Sequence, residues 1–335
     1  MTCHTTFPQG GYHLNESIPA LLRLLPFPAV YAAPAPIRSP LLIKLTTAEE
    51  CEMFFSDPAQ VPARLILRGT AYQVTPSPED PALFFLTKEE SPDEDSALQQ
   101  FLTDVATPLS NLVLMGSMLG RSNIPAGMVP YIDQIRRTAD QITRLHYNAT
   151  AHPASFTLEN LPDLIRDTLG YAEYYLPSVP ISFRTEGNGD PYILLSKPHI
   201  EGLILNLLSE FLSLSDRSTP PPVFSFTLLC RESPCLVVHV EDPSIAPEDV
   251  EDLLFAPNPT STGFLFIRRA CAQHDGSMFV RGDGKSGISL TLTLPRKEEF
   301  HSSIENFSSS YVGYDQARML LSNHLELSCY QNVKR

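Results

Sequence analysis

Few side chains in this chain of 335 residues have the type and spacing that chemistry needs. Thr107 carries a hydroxyl, but Pro108 follows it and supplies no base, and an unassisted threonine hydroxyl is a weak nucleophile. His146 and His152 fall at the end of a helical pattern and just beyond it, where a solvent-exposed or helix-terminal imidazole is expected. Asn206 and Glu210 lie four residues apart in HIEGLILNLLSEFLSLSD, a strongly amphipathic helical stretch. A glutamate on such a helix is ordinarily solvated, and Glu210 reads by itself as a water-facing residue. Asp242 ends an alternating strand, VVHVED, where a solvated turn carboxylate is expected. Gly263 stands at the start of a second helical stretch, GFLFIRRACAQHDG.

Composition bounds what these groups can serve. The length suggests about two domains, or three small ones. The hydrophobic fraction of 43% is ordinary for a globular protein, and no run approaches the ~18 apolar residues of a membrane span. The N-terminus lacks a basic region followed by an apolar block, so no export signal is expected and the location implied is cytoplasmic. Six cysteines occur without a C-x-x-C pair, which indicates neither a zinc site nor a disulfide framework. Cys230 and Cys235 flank the turn R-E-S-P and are expected as free thiols. A net charge of −14, with Arg136-Arg137 and Arg268-Arg269 the only adjacent arginines, argues against nucleic-acid binding; both pairs read as solvated helix surface.

The elements that must position these residues follow from periodicity. Residues 14–90 read as a small α/β module: a helix capped at Asn15, a strand, and the short β-like runs RLIL, AYQVTP and ALFFL separated by turn-formers. After the acidic turn SPDEDS, apolar positions recur at Leu98, Leu102, Val105, Leu109, Leu112, Gly116 and Leu119, alternating steps of four and three. RSNIPAG breaks that helix, and Met128, Ile132, Ile135, Ala139, Ile142 and Leu145 continue the rhythm in a second. Residues 96–150 are thus an antiparallel αα-hairpin whose apolar stripe predicts a homodimeric four-helix bundle. Residues 155–296 alternate helices and strands, with FTLENLPDLIRDTLGYAEYYL read as helical from Thr157 or Asn160. PSIAPEDVEDLLFAPNPTST reads as irregular, and 297–335 as a polar tail, flexible or partner-dependent, with YDQARMLLSNHLELSCY a lone helix. The fold class predicted is α+β and multidomain.

The opening phrase IPALLRLLPFPAVYA and the terminal meander of residues 14–90 resemble a degenerate PAS sensor domain. The hairpin followed by a helix and mixed-sheet sandwich resembles the transmitter of bacterial sensor histidine kinases, whose ATPase domain is a GHKL (Bergerat-type) α/β sandwich. LILNLLSEFLSLS is similar to that family's N box, and VVHVEDPSIAPEDVEDLLFAP to its first glycine box. TGFLFIRRACAQHDGSMFVRGDGKSGISLTLTLP is similar to its second glycine box, helix and final hairpin. With the front module, the resemblance covers residues 14 to 296.

The resemblance implies an acceptor histidine in FLTDVATPLSNL, where Thr107 stands instead, and an acidic neighbour, where Pro108 stands. It implies a vestigial nucleotide pocket made by Asn206, Glu210, Asp242 and Gly263, with Mg²⁺ on Asn206 and Glu210; Glu210 replaces a second asparagine. Asp242 matches the adenine-binding aspartate, while Pro243, Ser244 and Ala246 depart from the glycine pattern. Gly263 alone remains of the second box's glycines, and Ser261 and Thr262 crowd the amides that would cradle phosphate. The function implied is a noncatalytic, dimeric signalling protein that requires no cofactor and docks a response regulator or another kinase. The alternative is a divergent active kinase using ATP and Mg²⁺; a third is an interaction module recruiting a partner through its tail.

Overall fold

The computed structural model describes residues 22, 25, 28–78, 80–89, 109–116, 118–119, 125–151, 155–216, 220–255, 261–282, 287–296 and 313–330. Asn15, the hairpin positions Leu98, Leu102 and Val105, Thr107, Pro108 and His152 lie outside them. The chain divides into two compact units: Met1–Ala63 with Tyr72–Lys88, and Arg64–Ala71 with Glu89–Arg335.

In the first unit β1 (Ala29–Tyr31) pairs antiparallel with β2 (Ile37–Arg38) and with β5 (Leu83–Lys88). Tyr72 to Pro76 of β4 (Thr70–Pro76) pair with the other side of β5. Two short helices follow β2 because the sequence offers caps. Ser39 caps α1 (Pro40–Leu45), and its hydroxyl also takes the Ala29 amide at 2.9 Å. Thr47 and Glu50 form a reciprocal capping box on α2 (Ala48–Phe55), satisfying two otherwise orphaned amides. Val30, Leu42, Phe54, Phe55 and Phe84 are buried.

The second unit is built on a sheet ordered β3-β11-β12-β10-β9-β7. Its strands are β3 (Arg64–Leu67), β7 (Ile181–Glu186), β9 (Val223–Leu229), β10 (Cys235–Glu241), β11 (Ser277–Gly282) and β12 (Gly287–Thr293). All pairings are antiparallel except β7 with β9. The period-two patterning predicts one apolar face, and the register assembles it: Leu236, Val238 and Val240 stand opposite Leu292, Leu290 and Ile288, and opposite Leu228, Phe226 and Phe224. The other face carries His239 beside Ser289 and Ser225. RLIL is a strand as expected, and one of its partners is β11, through Ile66 and Met278, more than two hundred residues away in sequence.

Helices bury the apolar face. They are α3 (Val129–Thr150), α4 (Leu161–Tyr175), α5 (Lys197–Leu214), α6 (Pro247–Phe255), α7 (Thr262–Gln273) and α8 (Tyr314–Leu320). Of the two helix starts expected, Thr157 and Asn160, the structure takes the second: Thr157–Asn160 is strand β6, paired with β8 (Tyr192–Leu195), and Asn160 caps α4 by accepting the Asp163 amide. Within the stretch read as irregular, α6 forms with Glu248 and Asp249 in its first turn, where acids favour the helix dipole. Residues 109–116 and 118–119 are helical; Leu109 and Gly116 are buried, whereas Leu112, Leu114, Met115, Met118 and Leu119 are exposed.

Two features differ from the periodicity reading. Residues 313–330 are part of the core: Ala317, Met319, Leu320, Leu321, Leu325 and Tyr330 are buried in the same cluster as α4 and α5. The polar appearance of this segment hid a compact apolar set, AxMLLxxxL. The α3 stripe also divides: Ile132 and Ala139 face inward, while Met128, Tyr131, Ile135, Ile142 and Leu145 are exposed. Among the described residues no helix is long and apolar enough to cross a membrane.

Helix α5 is buried nearly all round, from His199 to Phe211, so its polar residues are held away from water. Glu201 is 3% exposed, with Lys197 4.0 Å away; burial pushes its carboxyl from 4.5 up to about 7, against the pull of Lys197. A raised folded pKa means that the folded state holds the extra proton between these values. Its stabilising effect is therefore complete below about pH 4.5 and lost as pH rises through 7. Glu201→Gln should leave stability at pH 4 nearly unchanged and raise it at pH 8 by up to about 3 kcal/mol, measured by urea unfolding.

Candidate functional site

Helix α3 presents to the second unit not its apolar stripe but its polar one. Asp133, Arg136, Asp140, Thr143, Arg144, Tyr147 and Asn148, in steps of three and four with two adjacent pairs, lie on the inner side. Opposite them on α5 stand Asn206, Ser209 and Glu210, all buried. The contacts run 144 to 209 and 210, and 148 to 206, so the two helices pass antiparallel.

The pairing is specific. Asn148 Nδ2 donates to Asn206 Oδ1 at 2.8 Å, and Asn206 Nδ2 donates back to Asn148 Oδ1 at 2.9 Å and to the Gly202 carbonyl at 2.9 Å. Arg144 Nη1 donates to Ser209 Oγ at 2.7 Å, and Nη2 lies 3.4 Å from Glu210 Oε1. Ser261 Oγ donates to the other carboxylate oxygen, Oε2, at 2.5 Å. The same Ser261 hydroxyl caps α7, accepting the Gly263 and Phe264 amides at 3.2 and 3.4 Å. Glu210, relayed through Ser261, is therefore the anion at this helix N-terminus. Burial lowers the pKa of Arg144, with Glu210 opposing the shift. Both side chains are about 7% exposed, so the pair sits in low dielectric.

Gly263 earns its place from this packing. A Cβ there would stand 2.0 Å from Glu210 Oε1 and 2.5 Å from Cδ. Glu210 is held by Arg144 and Ser261, so the clash cannot be relieved without breaking one of those bonds. The glycine makes room for a glutamate side chain.

The oxygens that would take Mg²⁺ are spoken for. Asn206 Oδ1 accepts from Asn148, both Glu210 oxygens accept from Arg144 and Ser261, and a guanidinium lies where a divalent cation would be repelled. Mg²⁺ demands near-octahedral oxygen ligands and retains several waters. The side chains as arranged do not fit it.

Asp242 belongs to a separate hydrogen-bonded turn just beyond β10. Its Oδ1 accepts from the Ser244 amide at 2.8 Å and the Ser244 hydroxyl at 2.6 Å, and Ser244 Oγ in turn accepts the Asp216 amide at 3.0 Å. Burial would raise this carboxyl, but the nearby Ser215 and Ser244 hydroxyls and the Ser244 amide outweigh it and hold it below its ordinary value. Its Oδ2 is buried and lacks a hydrogen-bond partner among the described residues. The structure thus brings Asn206, Glu210, Ser261 and Gly263 together, and gives Asp242 a setting of its own. His146 is half-buried on α3.

A second ring of contacts holds α3 in place. Arg318 of α8 donates to Asp140 Oδ2 at 2.8 Å, Arg136 donates to the Tyr330 carbonyl, and Gln316 Nε2 reaches Tyr147 Oη at 3.3 Å. His324 Nε2 lies 2.9 Å from the Ser209 carbonyl. Arg136, read as solvated, is half-buried, and Glu210 is not the water-facing glutamate of the simpler reading. Sequence reasoning missed Arg144 and Asn148. Their signal was present: two polar residues four apart on α3 complement two polar residues four apart on α5.

No family model and no curated protein matches the chain. Among solved structures it is similar to full-length ShkA in complex with AMPPNP, at 16% identity over 60% of this chain and 45% of that one, with a TM-score of 0.47. It is also similar to the histidine kinase ThkA in complex with the response regulator TrrA, at 16% identity over 76% and 83%, with a TM-score of 0.41. A third is the Acinetobacter baumannii histidine kinase AdeS, at 15% identity over 58% and 98%, with a TM-score of 0.40. The chain spans less than half the length of ShkA. These TM-scores all fall below one half, and nothing further about this chain rests on them.

Gly263→Ala should lower unfolding free energy by about 1–3 kcal/mol, because the added methyl displaces Glu210 from its partners. Gly170→Ala in α4, where a Cβ meets nothing within 4 Å, is the control and should stabilise by up to about 1 kcal/mol. Denaturant unfolding of both variants measures the contrast.

Proposed function

We propose that this protein is a noncatalytic, dimeric signalling protein with histidine-kinase architecture, located in the cytoplasm. One observation carries the reading: α3 turns its polar side onto Asn206 and Glu210 and its apolar side outward. The first half of that arrangement engages the oxygens a nucleotide-bound Mg²⁺ would need. The second leaves Met128, Tyr131, Ile135, Ile142 and Leu145 exposed along one helical stripe, with Leu112 and Leu119 exposed on the preceding helix.

An exposed stripe at heptad spacing is the seam of a coiled-coil bundle, and a second copy of the hairpin covers it by the same contacts related by a two-fold axis. In this reading the first unit is a PAS-like sensor, the hairpin of residues 96–150 is the dimer core, and residues 155–296 are a GHKL-type sandwich retained as scaffold. The partner is a response regulator or a kinase that supplies the phosphoryl chemistry. Thr107, a hydroxyl at the acceptor position without an acidic neighbour, transfers nothing. The protein needs no cofactor.

Asp242 supports a second reading, a divergent active kinase that still binds ATP. Its buried Oδ2 without a partner is the acceptor an adenine amino group would use. Titration calorimetry with Mg-ATP separates the two. The noncatalytic reading expects no heat of binding at millimolar nucleotide and no self-labelling by radioactive ATP. Labelling that disappears in Asp242→Ala would establish the alternative.

The dimer has its own test. The purified chain should sediment as a dimer, and Ile135→Glu with Ile142→Glu should convert it to a folded monomer, since like charges facing across a seam oppose association. A wild-type monomer at tens of micromolar would contradict the assembly.

A further inference from the structure

The departure of this site from a metal–nucleotide cradle has a positive counterpart. We infer that Arg144 and Asn148 form an internal ligand: the guanidinium takes the place of the divalent cation on Glu210, and the Asn148 amide takes the place of the remaining ligand on Asn206. The inference rests on the proposed noncatalytic reading and deepens it by naming the occupant of the site.

Three observations carry it. The charges match one to one: Glu210, where the resemblance to sensor kinases implies a neutral asparagine, supplies the single negative charge that Arg144 needs. Neutral Asn206 is met by neutral Asn148 through two reciprocal hydrogen bonds of 2.8 and 2.9 Å. The donor geometry also matches. A guanidinium presents five N–H donors in a planar fork, and Arg144 spends two of its nitrogens on neighbouring residues of α5, Ser209 Oγ at 2.7 Å and Glu210 Oε1 at 3.4 Å. Finally, the space matches, because the missing Cβ of Gly263 is filled by Glu210. The altered residue at 210 and the polar face of α3 are two halves of one change. A lone Glu210 here would be a buried, unneutralised carboxylate; a lone Arg144 would be a buried cation.

The consequence is a latent cation site. With Arg144 present, the full-length protein should gain nothing from Mg²⁺ or Mn²⁺. Arg144→Ala with Asn148→Ala frees Glu210 Oε1, Asn206 Oδ1 and the space beside them, so Mn²⁺ should raise the melting temperature of that variant and register as bound metal by electron paramagnetic resonance. Arg144→Ala with Glu210→Gln should lose both responses. Without metal, each single change should lower the melting temperature by roughly 5–15 °C, and the double variant should recover much of the loss, the non-additivity expected of a directly coupled pair. Additive losses, or stabilisation of the wild type by Mn²⁺ equal to that of Arg144→Ala/Asn148→Ala, would overturn the inference. If Arg144→Ala does not fold, the double variant decides: folding of Arg144→Ala/Glu210→Gln supports the pair, and its failure while Glu210→Gln alone folds refutes it. Binding of Mg-ATP by the wild type would remove the noncatalytic reading itself, whereas additive losses in a protein that binds no ATP remove only the internal ligand.

Discussion

A guanidinium and a carboxylate lie together in the interior of the second unit, and α3 is seated by that contact. Taking the two charges from water costs several kcal/mol each, roughly offset only when geometry and additional hydrogen bonds are good. Ser209, Ser261 and the Asn148–Asn206 amide pair supply those bonds. Breaking such a pair from one side typically costs about 3–5 kcal/mol, because a buried charge is left uncompensated. The pair admits one helix, in one register and orientation, and α3 therefore cannot slide or rotate on α5 without stranding charges.

The orientation of α3 follows. A helix with one apolar and one polar side ordinarily buries the apolar side. Here the body of the second unit has taken the polar side, with the Arg318–Asp140 bridge and the Tyr330 carbonyl extending the same pattern toward the start of the helix. The apolar side is left for another surface. In the proposed dimer, the contact that closes the site and the contact that makes the assembly are opposite faces of one helix, so the closed site and the oligomer cannot be chosen independently.

Much of this was legible in the residues. Strand alternation in VFSFTLLC and CLVVHVED is strong because one face of the sheet carries the large apolar side chains, and the register then follows from keeping Phe224, Phe226, Val238 and Leu290 on one side. Heptad spacing marked α3 as a helix, and Asn160 marked the start of α4. The first unit's strands were also readable, but nothing local tells that Arg64–Leu67 pairs with Ser277–Gly282, because pairing at long range is decided by the whole sheet. The tail misled because its few buried side chains are diluted by polar neighbours. Site residues were readable by likeness on α5 and α7, where Asn206, Glu210 and Gly263 fall in motifs. Arg144 and Asn148 were not, because their role exists only once α3 is laid against α5.

The most direct measurement of the central claim is amide hydrogen exchange along α3, compared with α5. If Arg144 and Asn148 anchor the helix into the interior, amides of residues 140–150 exchange only with opening of the unit, and their protection matches that of residues 199–211. Exchange of 140–150 orders of magnitude faster than 199–211, under conditions where the sheet stays protected, would mean that α3 is not held there, and the account built on its polar face would fail.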